Sequence, residues 1–440
     1  MTMTLETAPT TCLPGFGPEA FEAVLAATRS EAVRARRRAA FESYLALPVP
    51  HARMEEYRRT DPARFPFARV EALPLLRAES AAPSGGPEDE EFDVVVDVSE
   101  SGCAIADRSG ALKDGKVTVC GLDEAGESDP ETIRALLGGK AQAEPGRKYR
   151  DLVDAFWNVG LFVQVGNGIE LPQGVLVRYR LRTPGVALLP RLLVDIGRGA
   201  SATVVESFDG PDGCETLTVA SREVYVDAGA RCRLISLQEW GDEAVHVAED
   251  WARIHRDATV DLLTMSLGGK LSKVAVGGDV CEPGSHAWMG GLFFGGEDQH
   301  FDQRTLQYHS SPDTTSKMLY KGAVSGEAHS VYQGFIQALP GAIRVDAYQT
   351  NNNLILSPEA RADSIPGLLI DADDLACSHG ATIGNLDEDQ VFYLRARGLP
   401  DAEARKLLVL GFFEEIVERV PYRQVQDRLH KQLERKLALV

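Results

Sequence analysis

Cysteine is scarce in this sequence, and no two cysteines form a local pair motif. Only seven occur among 440 residues, at wide spacings, and none belongs to a CxxC pattern. An odd number of scattered cysteines is typical of reduced thiols rather than of a disulfide framework. The spacing also excludes a familiar zinc or iron–sulfur cage built from one short segment.

Long apolar stretches are missing as well. Runs such as Leu407–Phe413 are far shorter than the ~20 residues that a membrane-spanning helix needs. The first residues, Met1–Phe16, do not show a basic start followed by an apolar stretch, which is the pattern of a secretory signal. We therefore expect a cytoplasmic protein that does not interact with membranes.

Basic residues are outnumbered by acidic ones, and no nucleotide-binding motif is present. Lys and Arg total 46 against 65 Asp and Glu, a formal net charge of −19. That balance argues against nucleic acid as a partner, because phosphates would be repelled. The segment Gly268–Ser272 is similar to the end of a phosphate-binding loop, but Thr264 stands where the first glycine is required. We expect a protein that is not an enzyme and that depends on a partner for any nucleotide-driven step.

The sequence divides into three stretches that differ in the periodicity of their apolar residues. Residues 1–155 are helical or mixed, with a Pro-, Gly- and acid-rich mobile linker expected near 78–91. Within this first stretch, the basic run Arg34–Arg38 is interpreted as a solvated helix face. Residues 156–380 consist of short runs with period-two alternation, which is typical of β-strands. Residues 381–440 return to helical periodicity.

A repeat within residues 156–380 favours a solenoid over a sandwich. Small residues beside Gly or Asp recur at 200, 230, 258 and 285, which gives intervals of 30, 28 and 27 residues. A coil of that length cannot bury its own apolar face, so stacked coils must share one core. The sequence thus predicts a mainly β fold with a β-solenoid between helical segments.

Cys377 and His379 are the most specific chemical signal. Residues i and i+2 of a strand point to the same face, so a thiol and an imidazole would lie side by side. Such a pair suits iron, zinc or copper(I). The alternative is a buried cysteine beside a hydrogen-bonded histidine. One Cys and one His cannot hold a cluster, so the remaining ligands would come from elsewhere, most simply from another subunit.

The acids just upstream allow a different function. Asp371, Asp373 and Asp374 could bind a hard cation or transfer protons together with His379, which would make the protein a β-solenoid metal-dependent hydrolase. An acidic turn without chemistry is the simpler interpretation of the same residues.

The C-terminal helical stretch carries a wide apolar stripe, which predicts a docking surface. We expect part of the stripe to pack on the last helix, Val425–Leu437, and the rest to contact a partner. The stripe consists of Leu407, Phe412, Ile416 and Val420.

The segment Val345–Leu399 resembles the SufB/SufD family of iron–sulfur cluster assembly proteins. It contains, in the family's order, a Q-x-N-x-N-L-x-L-S block, an A-D-D-x-x-C-S-H-G-A-T block and an F-Y-L-x-x-R-G block. The Lys321–Gly322 dipeptide and the N-terminal Leu47–Pro50 with Glu56–Asp61 extend the resemblance, although Tyr57 stands where SufD-type chains usually have Trp. The resemblance implies a right-handed parallel β-helix flanked by helical segments.

Two features are similar to the SufD branch of this family. The neighbourhood of Gln349 lacks the cysteine that SufB-type chains carry there, and residues 377–380 have the SufD-type Cys-Ser-His-Gly form. The resemblance implies that His379 lies at a subunit interface used in cluster assembly, with Cys377 as a weaker candidate and the missing thiolates supplied by SufB.

The resemblance also implies partners and cofactors. It predicts a scaffold that pairs with SufB, docks the SufC ATPase through Pro400–Val420 and Val425–Leu437, and supports cluster formation and iron acquisition. Sulfur would arrive from a cysteine desulfurase system. The cofactor would be a transient iron–sulfur cluster shared with the partner. Flavin is possible by resemblance but is supported by no motif, and a homodimer is possible when the chain is alone.

Overall fold

Two long β-sheets face each other along most of the chain. The computed structural model describes residues 11–80, 87–137 and 147–438. The strands are β1 Glu71–Ala72, β2 Ala78–Ser80, β3 Val94–Ser99, β4 Gly102–Asp107, β5 Val117–Gly121, β6 Val159–Val165, β7 Glu170–Arg180, β8 Val186–Leu188, β9 Pro190–Ile196, β10 Ser201–Asp209, β11 Thr216–Val226, β12 Arg231–Glu239, β13 Val245–Ile254, β14 Thr259–Ser266, β15 Leu271–Val280, β16 His286–Gly295, β17 His300–His309, β18 Thr315–Val324, β19 His329–Ala338, β20 Asp346–Ile355, β21 Arg361–Ile370 and β22 Ala376–Gly384. The helices are α1 Pro18–Ala27, α2 Glu31–Ala46, α3 Leu122–Ser128, α4 Pro130–Leu137, α5 Arg147–Phe156, α6 Glu388–Ala396, α7 Asp401–Val417 and α8 Arg423–Leu437.

From β6 onward the strands stack as coils, each coil giving one strand to each sheet. The first sheet runs β5-β6-β9-β11-β13-β15-β17-β19-β21 and the second runs β2-β4-β3-β7-β10-β12-β14-β16-β18-β20-β22. Neighbouring strands are parallel except in the pairs β3–β4 and β5–β6. The structure confirms the predicted mainly β solenoid with helices at both ends.

The parallel register aligns equivalent side chains of successive coils into columns. Alternation along each strand sends every second side chain inward, so an apolar residue at one position recurs at the same position of the next coil. These columns form the core between the sheets. One column on the second sheet consists of Val204, Leu234, Leu262, Met289 and Met318, all buried.

The recurring small residues that suggested a repeat lie at the turns between coils. The residue before each one has a left-handed backbone: Gly199 has φ 64°, Gly229 φ 68° and Gly284 φ 78°. Glycine adopts this conformation without the steric cost that a side chain adds. Asp257 occupies the equivalent turn with φ 57°. The repeat is therefore a repeat of turn geometry.

The N-terminal helices cover the outer face of the first sheet, and this corrects the interpretation of the basic run. Arg37 is fully buried, donates to the carbonyl oxygens of Ala155 (2.8 Å) and Trp157 (3.0 Å), and lies 3.7 Å above the Trp157 ring. Arg36 forms an ion pair with the buried Asp154. A buried arginine that donates to helix-end carbonyls replaces water as their partner.

The expected linker near 78–91 is described only at its ends. Residues 81–86 lie outside the described part of the chain. On the C-terminal side, Pro87–Glu91 forms a short 3-10 turn in which Asp89 is buried and paired with Arg178 of β7. This end of the segment is therefore anchored to the solenoid.

The C-terminal helices α7 and α8 cover the outer face of the second sheet. Phe413 of α7 packs on Phe294 of β16 with ring centroids 6.2 Å apart. Arg428 of α8 forms ion pairs with Glu239 of β12 and Glu88. Within the described residues, no helix is long and apolar enough to cross a membrane.

Candidate functional site

The last coil of the solenoid, β21 and β22, leaves one end of the core uncovered; we call it the terminal coil. Strand β21 pairs only with β19, and β22 only with β20, among the residues that the structure describes. Each therefore has one edge without a strand partner. An unpaired edge of this length is a ready template for association with another chain.

His379 lies on the terminal coil, at the end of an inward-facing column. It is in register with the fully buried Gln349 of β20, which itself follows Met318 of β18. Because no further coil of the described chain covers it, His379 is exposed although its position is a core position. Among the described residues its imidazole has no hydrogen bond and no ion pair. The alternative of a histidine that satisfies a buried hydrogen bond therefore does not fit the geometry.

Cys377 lies on the same face of β22, two residues before His379. It is in register with the buried Ala347 and packs, half-buried, beside the small apolar cluster that includes Ile336 and Val345. Burial raises the pKa of the Cys377 thiol above its usual range, and the nearby Asp346 carboxylate raises it further. At neutral pH the thiol is protonated, so it packs as a small apolar group and becomes a ligand only if a metal displaces the proton.

Directly beneath the terminal coil lies a polar layer inside the solenoid. Gln349 donates to the Gly334 carbonyl oxygen (3.1 Å), and Asn353 donates to the side-chain oxygen of Asn351 (2.7 Å). The Ser364 hydroxyl of β21 donates to the same Asn351 oxygen (2.7 Å), which ties the two sheets together. The Q-x-N-x-N block thus points inward, where its amides replace the apolar core of earlier coils.

Large apolar side chains are exposed on the terminal coil and on the neighbouring strand β20. A group of large exposed side chains at one end of a core marks an interaction surface rather than random surface exposure. The members are Tyr348, Leu368, Leu369 and Ile383, with exposed fractions of 47%, 38%, 48% and 46%.

The acids considered for hydrolase chemistry lie in the turn between β21 and β22. Asp371, Asp373 and Asp374 are all exposed, and the Asp374 carbonyl oxygen accepts from the Arg344 amide. Across residues 11–80, 87–137 and 147–438, no three His, Cys, Asp or Glu side chains are grouped closely enough to hold a metal ion.

The predicted docking stripe divides into a buried and an exposed part. Ile416 and Val420 are fully buried between α7, α8 and the second sheet, and Phe412 is half-buried beside them. Leu407 is 52% exposed. The expected internal packing thus includes the solenoid itself, because α7 and α8 both pack on the second sheet, and Ile416 and Val420 are not at the surface.

Helix α6 adds an exposed apolar surface that the stripe did not include. Phe392 is 69% exposed and Tyr393 56%, and the Arg397 guanidinium lies 4.9 Å from the Tyr393 ring centroid. Leu399 in the following turn is 36% exposed. Together with Leu407 these residues form what we call the α6–α7 surface. The F-Y-L block contains Phe392 and Tyr393, but a block this short does not show which face of the helix is exposed.

Comparison with known proteins decides the family. The family model described as "SUF system FeS cluster assembly, SufBD core domain" matches residues 179–412, which is more than half of the chain. The chain belongs to the SufBD family. The matched range includes the strands from β8 onward, the terminal coil and most of α7.

Several curated SufBD relatives are similar over part of their length. A SufBD family protein of Mycobacterium tuberculosis is 37% identical over 225 residues, which covers 49% of this chain and 57% of the relative. One of Mycobacterium leprae is 32% identical over 286 residues, covering 63% and 72%. The iron–sulfur cluster assembly protein SufD of Escherichia coli is 32% identical over 225 residues, covering 51% and 53%. The chain thus spans little more than half the length of two of these three relatives.

The exposure of His379 predicts that its removal leaves the fold intact. His379→Ala should change the free energy of unfolding by less than about 0.5 kcal/mol, because an exposed side chain without partners is lost. Gln349→Ala, one coil beneath in the same column, should cost about 1–3 kcal/mol, because it deletes a buried hydrogen bond.

Urea denaturation of both variants measures this difference. A His379→Ala variant that is as unstable as Gln349→Ala would show that the imidazole has a structural role.

Proposed function

We propose that this SufBD protein is a non-enzymatic scaffold subunit that completes an iron–sulfur assembly site by pairing its terminal coil with a SufB-type subunit. The observation that supports this most directly is an exposed imidazole without partners at the uncovered end of a core column. A second solenoid placed end to end would cover the apolar side chains around His379 and bury the unpaired edges of β21 and β22. The same surface would allow a homodimer when the chain is alone.

The ligand count requires that partner. His379 offers one neutral nitrogen and Cys377 one thiol, whereas a cluster usually takes about four protein ligands, mostly thiolates. In the proposal His379 binds the nascent cluster, Cys377 contributes once iron displaces its proton, and the SufB-type subunit supplies the other thiolates. The cluster is cargo, built from iron and from sulfur delivered by a desulfurase system, and it leaves the scaffold. We assign no flavin site.

Energy enters, in this proposal, through a SufC-type ATPase that docks on the α6–α7 surface. Phe392, Leu399 and Leu407 are large, apolar and exposed on α6, on the turn after it and on α7, and α7 packs against the second sheet. A rigid support lets movement of the ATPase be transmitted to the solenoid. Ile416 and Val420 are buried and would not contact the ATPase.

Removal of His379 should reduce cluster formation without disrupting the complex. The complex containing His379→Ala should assemble normally but hold much less iron and acid-labile sulfide, because one cluster ligand is lost. His379→Cys should retain more of both, because a thiolate also binds iron. The exposed His51, on the N-terminal side of the chain, provides the matched control His51→Ala.

Iron and sulfide assays on the purified complexes test this prediction. Full cluster content in the His379→Ala complex would refute the assignment of His379 as a ligand.

Introducing one negative charge on either proposed interface should disrupt binding of one partner and leave the other partner bound. Phe392→Asp should abolish retention of the ATPase but keep the SufB-type subunit, because a carboxylate replaces an apolar contact on the α6–α7 surface only. Leu369→Asp, on the terminal coil, should have the opposite effect. Both side chains are exposed, so neither change should disturb the fold.

Pull-down of co-expressed subunits distinguishes these cases. Loss of the ATPase from Leu369→Asp with its retention by Phe392→Asp would contradict the assignment of the surfaces.

A further inference from the structure

A small pocket lies on the outer face of the first sheet, and its wall residue Phe335 is in register with Gly367 of the terminal coil. Its volume is about 60 Å³, and it lies beside α5 over the middle coils. At roughly 10–15 Å³ per water-sized sphere, it has room for about four to six non-hydrogen atoms. No step of the proposed function uses it.

The sheet register forms this pocket. Glu249 of β13, Ala275 of β15 and Arg304 of β17 are in register on the outer face. The small Ala275 therefore leaves a gap between two long side chains whose strands are about 10 Å apart. In the next row Trp251 lies over Gly277, where a Cβ would be 2.2 Å from the indole atom Cζ3. The residues at the base of the pocket are therefore small, and the residues at its sides have long or aromatic side chains.

Two guanidinium groups line the pocket without a directly paired carboxylate among the described residues. Among the residues that the structure describes, neither Arg304 nor Arg150 of α5 forms a hydrogen bond or an ion pair within 4 Å. Arg304 Nη1, Arg150 Nε and the indole Nε1 of Trp251 are covered from bulk water and lack hydrogen-bond partners within the described ranges. Covered donors that are left unpaired are unfavourable, so an acceptor bound here would relieve that cost.

The nearby carboxyl group does not neutralise these cations. Burial raises the pKa of Glu249 to about 8 despite the opposing charges of Arg150 and Lys273, so the group is largely protonated at pH 7. The neighbouring Lys273 is already paired with Asp302. Asp151 and Asp154 also act electrostatically on Arg150, but both are paired with other arginines. The two guanidinium groups of the pocket therefore have no carboxylate partner of their own, and apolar wall area from Leu306 and Phe335 lies beside them.

We propose that this pocket binds a small organic carboxylate, with its oxygens toward Arg304 and Arg150 and its short apolar part against Trp251 and Phe335. Guanidinium groups match a carboxylate in both charge and planar geometry. The apolar walls favour an organic acid over an inorganic oxyanion, because an inorganic oxyanion has no apolar part to cover them and they would stay in contact with water. This inference does not rest on the proposed function.

Titration of the full chain with acetate, propionate and butyrate at constant ionic strength tests the proposal. Calorimetry should show saturable binding, with affinity rising about two- to fourfold for each added methylene that contacts the walls. Tryptophan fluorescence should change in parallel, and Trp251→Phe should remove that change. Sulfate serves as the inorganic probe and should bind more weakly than propionate.

Three variants complete the test. Arg304→Gln should weaken propionate binding at least tenfold, and Ala275→Val should do the same by filling the gap while every charge is kept. The exposed Arg256→Gln is the control for loss of one positive charge and should bind as the wild type does. Wild-type affinity in both Arg304→Gln and Ala275→Val would overturn the proposal, as would sulfate binding as tight as that of propionate.

Discussion

In-register stacking of parallel strands is the constraint on which the rest of this structure depends. Each coil covers the side chains of the coil before it, so a core position is buried only if another coil follows. The column that contains Met318 and Gln349 ends at His379, where this cover stops. The same geometry that builds the core therefore leaves an exposed imidazole, a half-buried thiol and two unpaired strand edges at one place. The proposed function, in which a metal site is shared with another subunit, needs this kind of incomplete end.

The helices at both ends have a different role from the terminal coil, because they cover sheet faces rather than sheet edges. On the second sheet, α7 and α8 bury Ile416 and Val420 against the solenoid. Removing them would expose apolar sheet surface such as Phe294, so a truncation cannot separate docking from folding. The apolar side chains that remain exposed, Phe392 and Leu407 among them, are the ones that a partner can reach.

The fold could be predicted from the sequence because its signals are local. Residues that are close in sequence determine the period-two alternation and the left-handed turns such as the one at Gly229. They also determine that Cys377 and His379 share one face of a strand. Burial that depends on distant segments could not be predicted. Arg37 was interpreted as solvated, yet its partners lie about 120 residues away along the chain. The exposure of His379 likewise depends on the absence of a further described coil above it, which no local pattern encodes.

Hydrogen exchange of the terminal coil tests the central claim most directly. The chain should be measured at a concentration where light scattering shows a monomer, and again in complex with a SufB-type subunit. The account predicts that peptides covering residues 361–384 gain protection in the complex, while peptides from β10 and β12, in the middle of the solenoid, do not change. Protection elsewhere with unchanged exchange across residues 361–384 would contradict it.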